Sequence, residues 1–419
     1  MTLALLVIYL LVSTAGYVLS WLNLRHLKSN GTLVPAGFEG HLDAETLEKT
    51  AAYTVENNRL ALIESLADDA IVLVFLFGGV IGHYDRWIAS LTDSFILQGI
   101  LFFLILSLIQ TIVDIPFSLY RNFSIEARYG FNTMAAKLWL TDLFKSTGIG
   151  AILVTLLTSG AFGLVLLSPH WWWLWVWGFF AVVTLFLMYL SPYVIEPLFY
   201  HFEPIRSTDL EKDIRSLMAK AGLGVRRVLQ VDASRRSRHS NAYFTGIGRV
   251  KRIVLFDTLL ERLDSREILA VLAHEAGHWK RRHLLKRLIF SEASALLICY
   301  SAFYLLNLGA LPPLLGMETA SFPAQLVILS LILSLATSLL TPIGSLLSRR
   351  QEGEADRFAV ELSGMPDALA SSLIKMSRDN LANLHPHPLY AAVYYSHPPV
   401  VERVRGLLAE SSKAKENAG

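Results

Sequence analysis

Cysteine is almost missing from this chain: Cys299 is the single one in 419 residues. That excludes an internal disulfide framework and any cysteine-rich zinc finger. Cys299 lies inside an apolar run, where it reads as a buried or lipid-facing side chain and not as a nucleophile. Charge is scarce as well. Only 17% of residues are charged and 53% are hydrophobic, whereas a soluble domain carries about 25% charged residues. The composition therefore points to a membrane protein. Thirty-seven basic residues nearly balance 35 acidic ones, and no basic block interleaved with aromatics occurs, which argues against nucleic acid as a partner. Internal repeats and low-complexity tracts are also lacking, and "SSKAKENAG" reads as a frayed tail.

What the chain does have is seven long apolar runs, each able to cross about 30 Å of hydrocarbon. They cover 2–22, 68–88, 94–116, 149–168, 171–191, 287–309 and 325–347. The first lacks a basic leader and a clear cleavage site, and so reads as a retained span. The fourth and fifth are joined by little more than Ser168–His170 and form a tight hairpin. Trp171, Trp172, Trp173, Trp175 and Trp177 open the fifth and read as an interfacial belt. Basic residues collect in alternate connections: Arg25, Lys28, Arg121, Arg128, Lys137, Lys145, Arg349, Arg350 and the run around Arg281. By the positive-inside rule the N-terminus is outside, and the polar pieces 192–286 and 348–419 share the cytoplasmic side. The expected organisation is spans 1–5 in 1–191, a polar region 192–286, spans 6–7 in 287–347 and a polar region 348–419.

The chemistry sits in "SREILAVLAHEAGH". Its apolar residues recur at helical spacing, with Asp264 or Ser265 as a cap. On that helix His274 and His278 are one turn apart and face the same way, as two ligands of one ion must. Glu275 lies on the adjoining edge, placed to take a proton from water at the metal. A solvated amphipathic helix is the plain alternative, so a third ligand is needed. "SRRQEGEADRFAV" offers one, with Glu352 and Asp356 on one helical face and Ala355 and Ala359 beside them for close packing. Glu352 would leave a fourth position open for water, and Asp356 would hold a ligand histidine by its free ring N–H. From spacing alone Glu354 is an equal candidate, and an ordinary charged helix start explains the stretch too.

These residues look familiar together. "EARYGFN" (Glu126–Asn132), "HSNAYFTGIG" (His239–Gly248), "IVLFDTLL", "HEAGHW", "SRRQEGEAD" and "YYSHPPVVER" (Tyr394–Arg403) occur in this order among the apolar runs. The chain resembles the type I CaaX prenyl protease family of integral-membrane zinc metallopeptidases, and more loosely a related bacterial heat-shock membrane protease. The resemblance implies one zinc ion held by His274, His278 and Glu352, with Glu275 as base and Asp356 behind the ligands. It implies that Asn241 and Ala242 hold the substrate backbone, and that His397 and Arg403 stand beside the site to steady the oxyanion and the carboxylate network. It further implies seven transmembrane helices around a large water-filled chamber, closed on the cytoplasmic side by a metallopeptidase domain with a small β-sheet.

Other readings stay open for single residues. "RRVLQVDAS", "SNAYFTGIG" and "RIVLFDTLL" are β-rich runs, and an edge strand among them suits extended peptides. Asn241 is otherwise a turn residue and His397 a surface-loop histidine; "HPHP" reads as a loop, and His83, His201 and His239 have no partner at metal-binding spacing. The expected function is hydrolysis of peptide bonds in peptides or membrane-associated proteins, with or without a lipid attached. The absence of a lysine-rich retrieval tail suggests a bacterial inner membrane, where prenylated substrates are not expected. An intramembrane site-2-type protease fits poorly, because "HEAGHWKRRH" is too polar for mid-span. A chaperone or transporter with a structural zinc site is the alternative, but such a site has no need of Glu275.

Overall fold

In the computed structural model the chain is mostly helical, and the structure describes residues 1–245 and 250–416. Gly246, Ile247 and Gly248 of the second β-rich run, and the last three residues of the expected tail, lie outside the described residues. The rest of that tail is not frayed: a helix runs over Val400–Glu416.

Among the described residues six helices are long and apolar enough to cross a membrane: Thr2–Asn30, Phe95–Glu126, Ala136–Leu167, Trp172–Phe199, His283–Asn307 and Phe322–Ser363. The expected span 68–88 is the exception. Its residues end one helix (Ala44–Val72), pass through a wide turn at Leu73–Phe77, and restart as Val80–Leu91 after Gly79 at φ +80°. Only glycine takes that backbone without strain. The preceding helix carries Glu64, Asp68 and Asp69, and two of these meet partners within the bundle: Asp69 accepts from the hydroxyls of Tyr9 and Tyr17 at 2.5 Å, and Glu64 pairs with Arg121. Hydropathy misjudged the helix's start because its acidic residues have partners in the protein.

Side chains of the apolar helices border a partly open cavity of about 1180 Å³, lined by Phe103, Thr158, Phe162, Trp172, Cys299 and Phe322 among others. The tryptophan belt is only partly a belt. Trp171 and Trp175 are 59% and 56% exposed, but Trp172 is buried against Phe303 and Phe322.

A second body grows from these helices. Four strands, β1 (Phe202–Pro204), β2 (Gly224–Val231), β3 (Ala242–Thr245) and β4 (Val250–Phe256), form one sheet in the order β1-β2-β4-β3. Only β2 and β4 are parallel. β3 is an edge strand, with Ala242 opposite Leu255. The sheet packs on helices Thr208–Lys220 and Ser265–Lys280 through Ile214, Met218, Ile253, Leu255, Ala270 and Leu272, all fully buried. The helix Ser265–Lys280 starts with a capping box between Asp264 and Glu267. Two orphan N–H groups are thereby satisfied. Glu267 is itself buried, and Lys375 and the Ser371 hydroxyl engage it.

Two continuous helices join the bodies. His283–Asn307 starts beside the sheet domain and runs into the bundle, and Phe322–Ser363 returns through 42 residues with no break. The expected boundaries at 286/287 and 347/348 thus fall inside single helices. Polar ties add to them: Arg236 grips Asp142 with two bonds, and His239 meets Glu126, which also accepts from Tyr53. The motifs "EARYGFN" and "HSNAYF" are therefore halves of one junction.

Candidate metal centre

The Ser265–Lys280 helix and the C-terminal half of Phe322–Ser363 cross very closely. A Cβ on Gly277 would lie 3.0 Å from the Ala355 Cα and 3.1 Å from its carbonyl oxygen. Only glycine permits that approach, and the small residues Ala273, Ala276, Ala355 and Ala359, all buried, flank it. The crossing brings Glu352 up to the face that carries His274 and His278.

The three side chains converge. His274 Nε2 and His278 Nε2 are 3.2 Å apart, and Glu352 places one oxygen 3.4 Å from the first ring and the other 3.3 Å from the second. Two imidazole nitrogens and a carboxylate around tetrahedral zinc, at about 2.0–2.2 Å each, would stand about 3.3–3.5 Å from one another. The separations are of that size, with each histidine meeting a different Glu352 oxygen, and one ligand atom from each of the three side chains lies within 4.8 Å of the others. Glu352 is 2% exposed and its Oε2 has no hydrogen-bond partner. A buried carboxylate in that condition is costly unless a cation offsets it. Among the described residues this is the one group of three such side chains arranged to hold a metal ion, and nitrogen ligands exclude the oxygen-seeking calcium and magnesium.

The ring nitrogens facing away are also engaged. His274 Nδ1 lies 2.7 Å from Asp356, which Arg403 holds through two bonds of 2.6 and 2.9 Å. Arg403 approaches the same ring nitrogen at 3.4 Å; since a guanidinium only donates, both N–H groups share Asp356. His278 Nδ1 lies 3.0 Å from His283 Nδ1, and His283 Nε2 lies 3.1 Å from Glu354. With each Nδ1–H donating outward, both Nε2 lone pairs point into the triangle.

Electrostatics pulls the two histidines in opposite directions. Burial opposes a charged His274, but its bonds to Asp356 and Glu352 raise it to about 9; burial and the charge on His274 lower His278 to about 4. Burial, with some help from Glu352, pushes the Glu275 carboxyl up. Glu275 forms no hydrogen bond or ion pair with any described residue. His397 stands at the mouth, 61% exposed at its side chain and 3.4 Å from Glu352.

The geometry thus brings together His274, Glu275, His278, Glu352, Asp356, His397 and Arg403. It separates the two glutamates that spacing left equal, since Glu354 turns to His283. Ala242 starts the edge strand β3, its side chain in one core with Ala270 and Ala273, and Asn241 precedes it, its side chain accepting from the Ala242 N–H at 2.8 Å. His283, 1% exposed, escaped the sequence reading. It is five residues from His278, off any common helical face, within a basic run that reads as surface. Arg282 at φ +57° breaks the helix and turns His283 back toward His278. His385 and His387 behave as loop and cap residues: one meets the Leu33 carbonyl, the other caps Pro388–Tyr394.

A bundle of apolar helices carrying a two-histidine, one-carboxylate cluster on an HExxH helix defines a membrane-bound metallopeptidase. Comparison with known proteins agrees. Residues 23–201 match the model of the CAAX prenyl protease N-terminal domain with five membrane helices, and residues 204–411 match that of peptidase family M48. The chain is 33% identical over 427 residues to "CAAX prenyl protease 1" of Saccharomyces cerevisiae, covering 93% of this chain and 92% of that protein. It is 29% identical over 390 residues to the "Uncharacterized metalloprotease YhfN" of Bacillus subtilis, covering 92% and 88%. The crystal structure of S. mikatae Ste24p superposes with a TM-score of 0.90 at 29% identity, covering 97% of this chain and 98% of that one. The chain belongs to peptidase family M48 and is an integral-membrane metalloprotease.

Expected outcome for the two glutamates: Glu352→Gln purifies with metal content greatly reduced, and Glu354→Gln retains most of it. Elemental analysis of both variants measures this; equal contents, or the reverse order, would contradict the geometry.

Proposed function

We propose that His274, His278 and Glu352 hold one zinc ion per chain and that the chain hydrolyses peptide bonds beside it. The observation that carries this reading is the convergence of His274, His278 and Glu352 at 3.2–3.4 Å beside Glu275, which has no hydrogen-bond or ion-pair partner among the described residues. When bound, zinc supplies Lewis acidity to the scissile carbonyl and acidifies water. Glu275 takes the proton of the attacking water, holds it in a pocket whose burial strengthens its basicity, and delivers it to the leaving amine. Asp356, fixed by Arg403, keeps His274 in the tautomer whose Nε2 faces the metal. His397, at the mouth, donates to the oxyanion as the carbonyl oxygen gains charge. A structural zinc site leaves Glu275 without a role.

Substrate backbone pairs with β3. Asn241 accepts from the Phe256 N–H on the inner side, so by strand alternation the Ala242 N–H faces the free edge, where the Asn241 side-chain oxygen holds it at 2.8 Å until substrate takes its place. Each main-chain bond there contributes about 0.5–1.5 kcal/mol net whatever the side chains, which favours many extended sequences alike. The substrates are peptides or membrane-associated proteins. A lipidated tail, as the name of the yeast relative suggests for that protein, is accepted without being required.

For the membrane we propose seven crossings, the interrupted helix Ala44–Leu91 included, with the metal site facing the cytoplasm. The uneven basic residues support this. Relatives in yeast and Bacillus alike leave the expected bacterial inner membrane without support.

Two measurements test these readings. Glu275→Gln and Ala242→Pro are expected to keep zinc near wild-type content; the first loses nearly all turnover, and the second slows unrelated peptides together. Wild-type turnover in Glu275→Gln would overturn the base, and slowing of one peptide alone would overturn the backbone reading. In a background lacking Cys299, single cysteines near Arg86 and Met317 should label from outside, and those near Arg128, Lys212 and Arg378 only from the cytoplasm. The opposite pattern would invert the topology.

A further inference from the structure

On the far side of the sheet from β3, where the Trp172–Val194 helix ends, lies a second cavity of about 940 Å³. It borders Tyr193, Phe202, Arg226, Arg227 and Arg252, and none of these belongs to the metal centre. The level is that of a membrane surface: Tyr189, Tyr193, Val194 and Leu198 stand exposed around the helix end, as aromatic and aliphatic side chains do where a span leaves the hydrocarbon.

Strand geometry concentrates positive charge here. Val225 pairs with Lys251 and Arg227 with Arg252, so Arg226 is an extra residue bulged out of β2. In a regular strand Arg226 and Arg227 would point to opposite faces; a bulge re-aims one of them, and both line the cavity. Neither forms a salt bridge with a described residue, and both are exposed.

Arg252 is different. It is only 9% exposed, its Nη1 donates to the Pro192 carbonyl at 2.5 Å, and its guanidinium lies 4.4 Å from the Phe202 ring centre. Its Nε is buried with no hydrogen-bond partner, and it has no carboxylate partner among the described residues. A fixed, buried guanidinium with an unused donor calls for an anion. The carboxylate that lines the cavity, Glu211, is already held by Arg215 at 2.7 Å. The chain itself therefore does not neutralise the three arginines.

We propose that this cavity binds a phosphate group at the membrane surface, that of an anionic lipid headgroup, with Arg252 as the buried anchor and Arg226 and Arg227 as the exposed clasp. Guanidinium forks match phosphate oxygens in geometry and charge, and basic pockets beside span ends hold such headgroups. The exposed aromatics and Leu198 lie where the acyl chains would leave.

The test uses the full-length protein in nanodiscs of phosphatidylcholine with phosphatidylglycerol, released for native mass spectrometry, wild type against Arg226→Ala/Arg227→Ala. Both replaced residues are exposed and lie outside the peptidase machinery, so peptidase activity in lipid-free detergent serves as the folding control. The expected result is retained phosphatidylglycerol on wild type, a loss of about tenfold or more in the variant, and phosphatidylcholine adducts alike in both. Inorganic phosphate, titrated into the same samples, should fail to displace the lipid at millimolar concentration. Equal phosphatidylglycerol retention in the two proteins would overturn the site. Displacement by inorganic phosphate would overturn the lipid as its occupant and assign the cavity to free phosphate.

Discussion

Everything at the metal centre depends on how closely two helices approach. Glu352 is far from His274 in sequence and reaches it only because Gly277 presents no side chain to Ala355. Three ligands that must meet at one ion tolerate little displacement, since a shift of about half an ångström spoils metal coordination. The stripe of alanines around the crossing is the physical condition for the site, and packing sets the geometry before any polar contact forms. The hydrogen bonds that His274 and His278 donate to Asp356 and His283 then fix ring tautomers within a frame that already exists.

The same two helices explain why a reaction that consumes water is built against a bilayer. One of them continues without a break from an apolar span into Glu352 and Asp356, and the next element after the HExxH helix begins at His283 and enters the bundle. The catalytic face therefore sits at the end of the membrane helices, on rigid elements. The Glu126–His239 and Asp142–Arg236 contacts tie the rest of the sheet domain down at the same level. Fixed on several helices at once, the site has little freedom to move relative to the membrane.

Much of this was legible in the sequence, and what was not has definite causes. His274, His278 and the helix under them follow from spacing, because helical periodicity places residues four apart on one face. Three of the four strands follow from β-rich runs; β1 is three residues long and held by pairing with β2, too short to leave a pattern. Spacing left Glu352 and Glu354 equal, since which of them turns toward the histidines depends on the rotation of a helix fixed by Gly277. His283 stayed hidden because an arginine with left-handed backbone redirects the chain. The second apolar run hid the start of its helix at Ala44, because hydropathy counts carboxylates and does not see the tyrosines that bind them. Trp172 misled in the opposite way, as a core residue in a cluster that resembled a belt.

The central claim is that two imidazoles and one carboxylate of this chain hold a catalytic zinc ion. X-ray absorption at the zinc edge on the purified full-length protein tests it most directly. The account requires about one zinc per chain in a four-coordinate shell of nitrogen and oxygen only, with the multiple-scattering signature of two imidazoles. Absence of stoichiometric zinc, or a shell without two imidazoles, would contradict it.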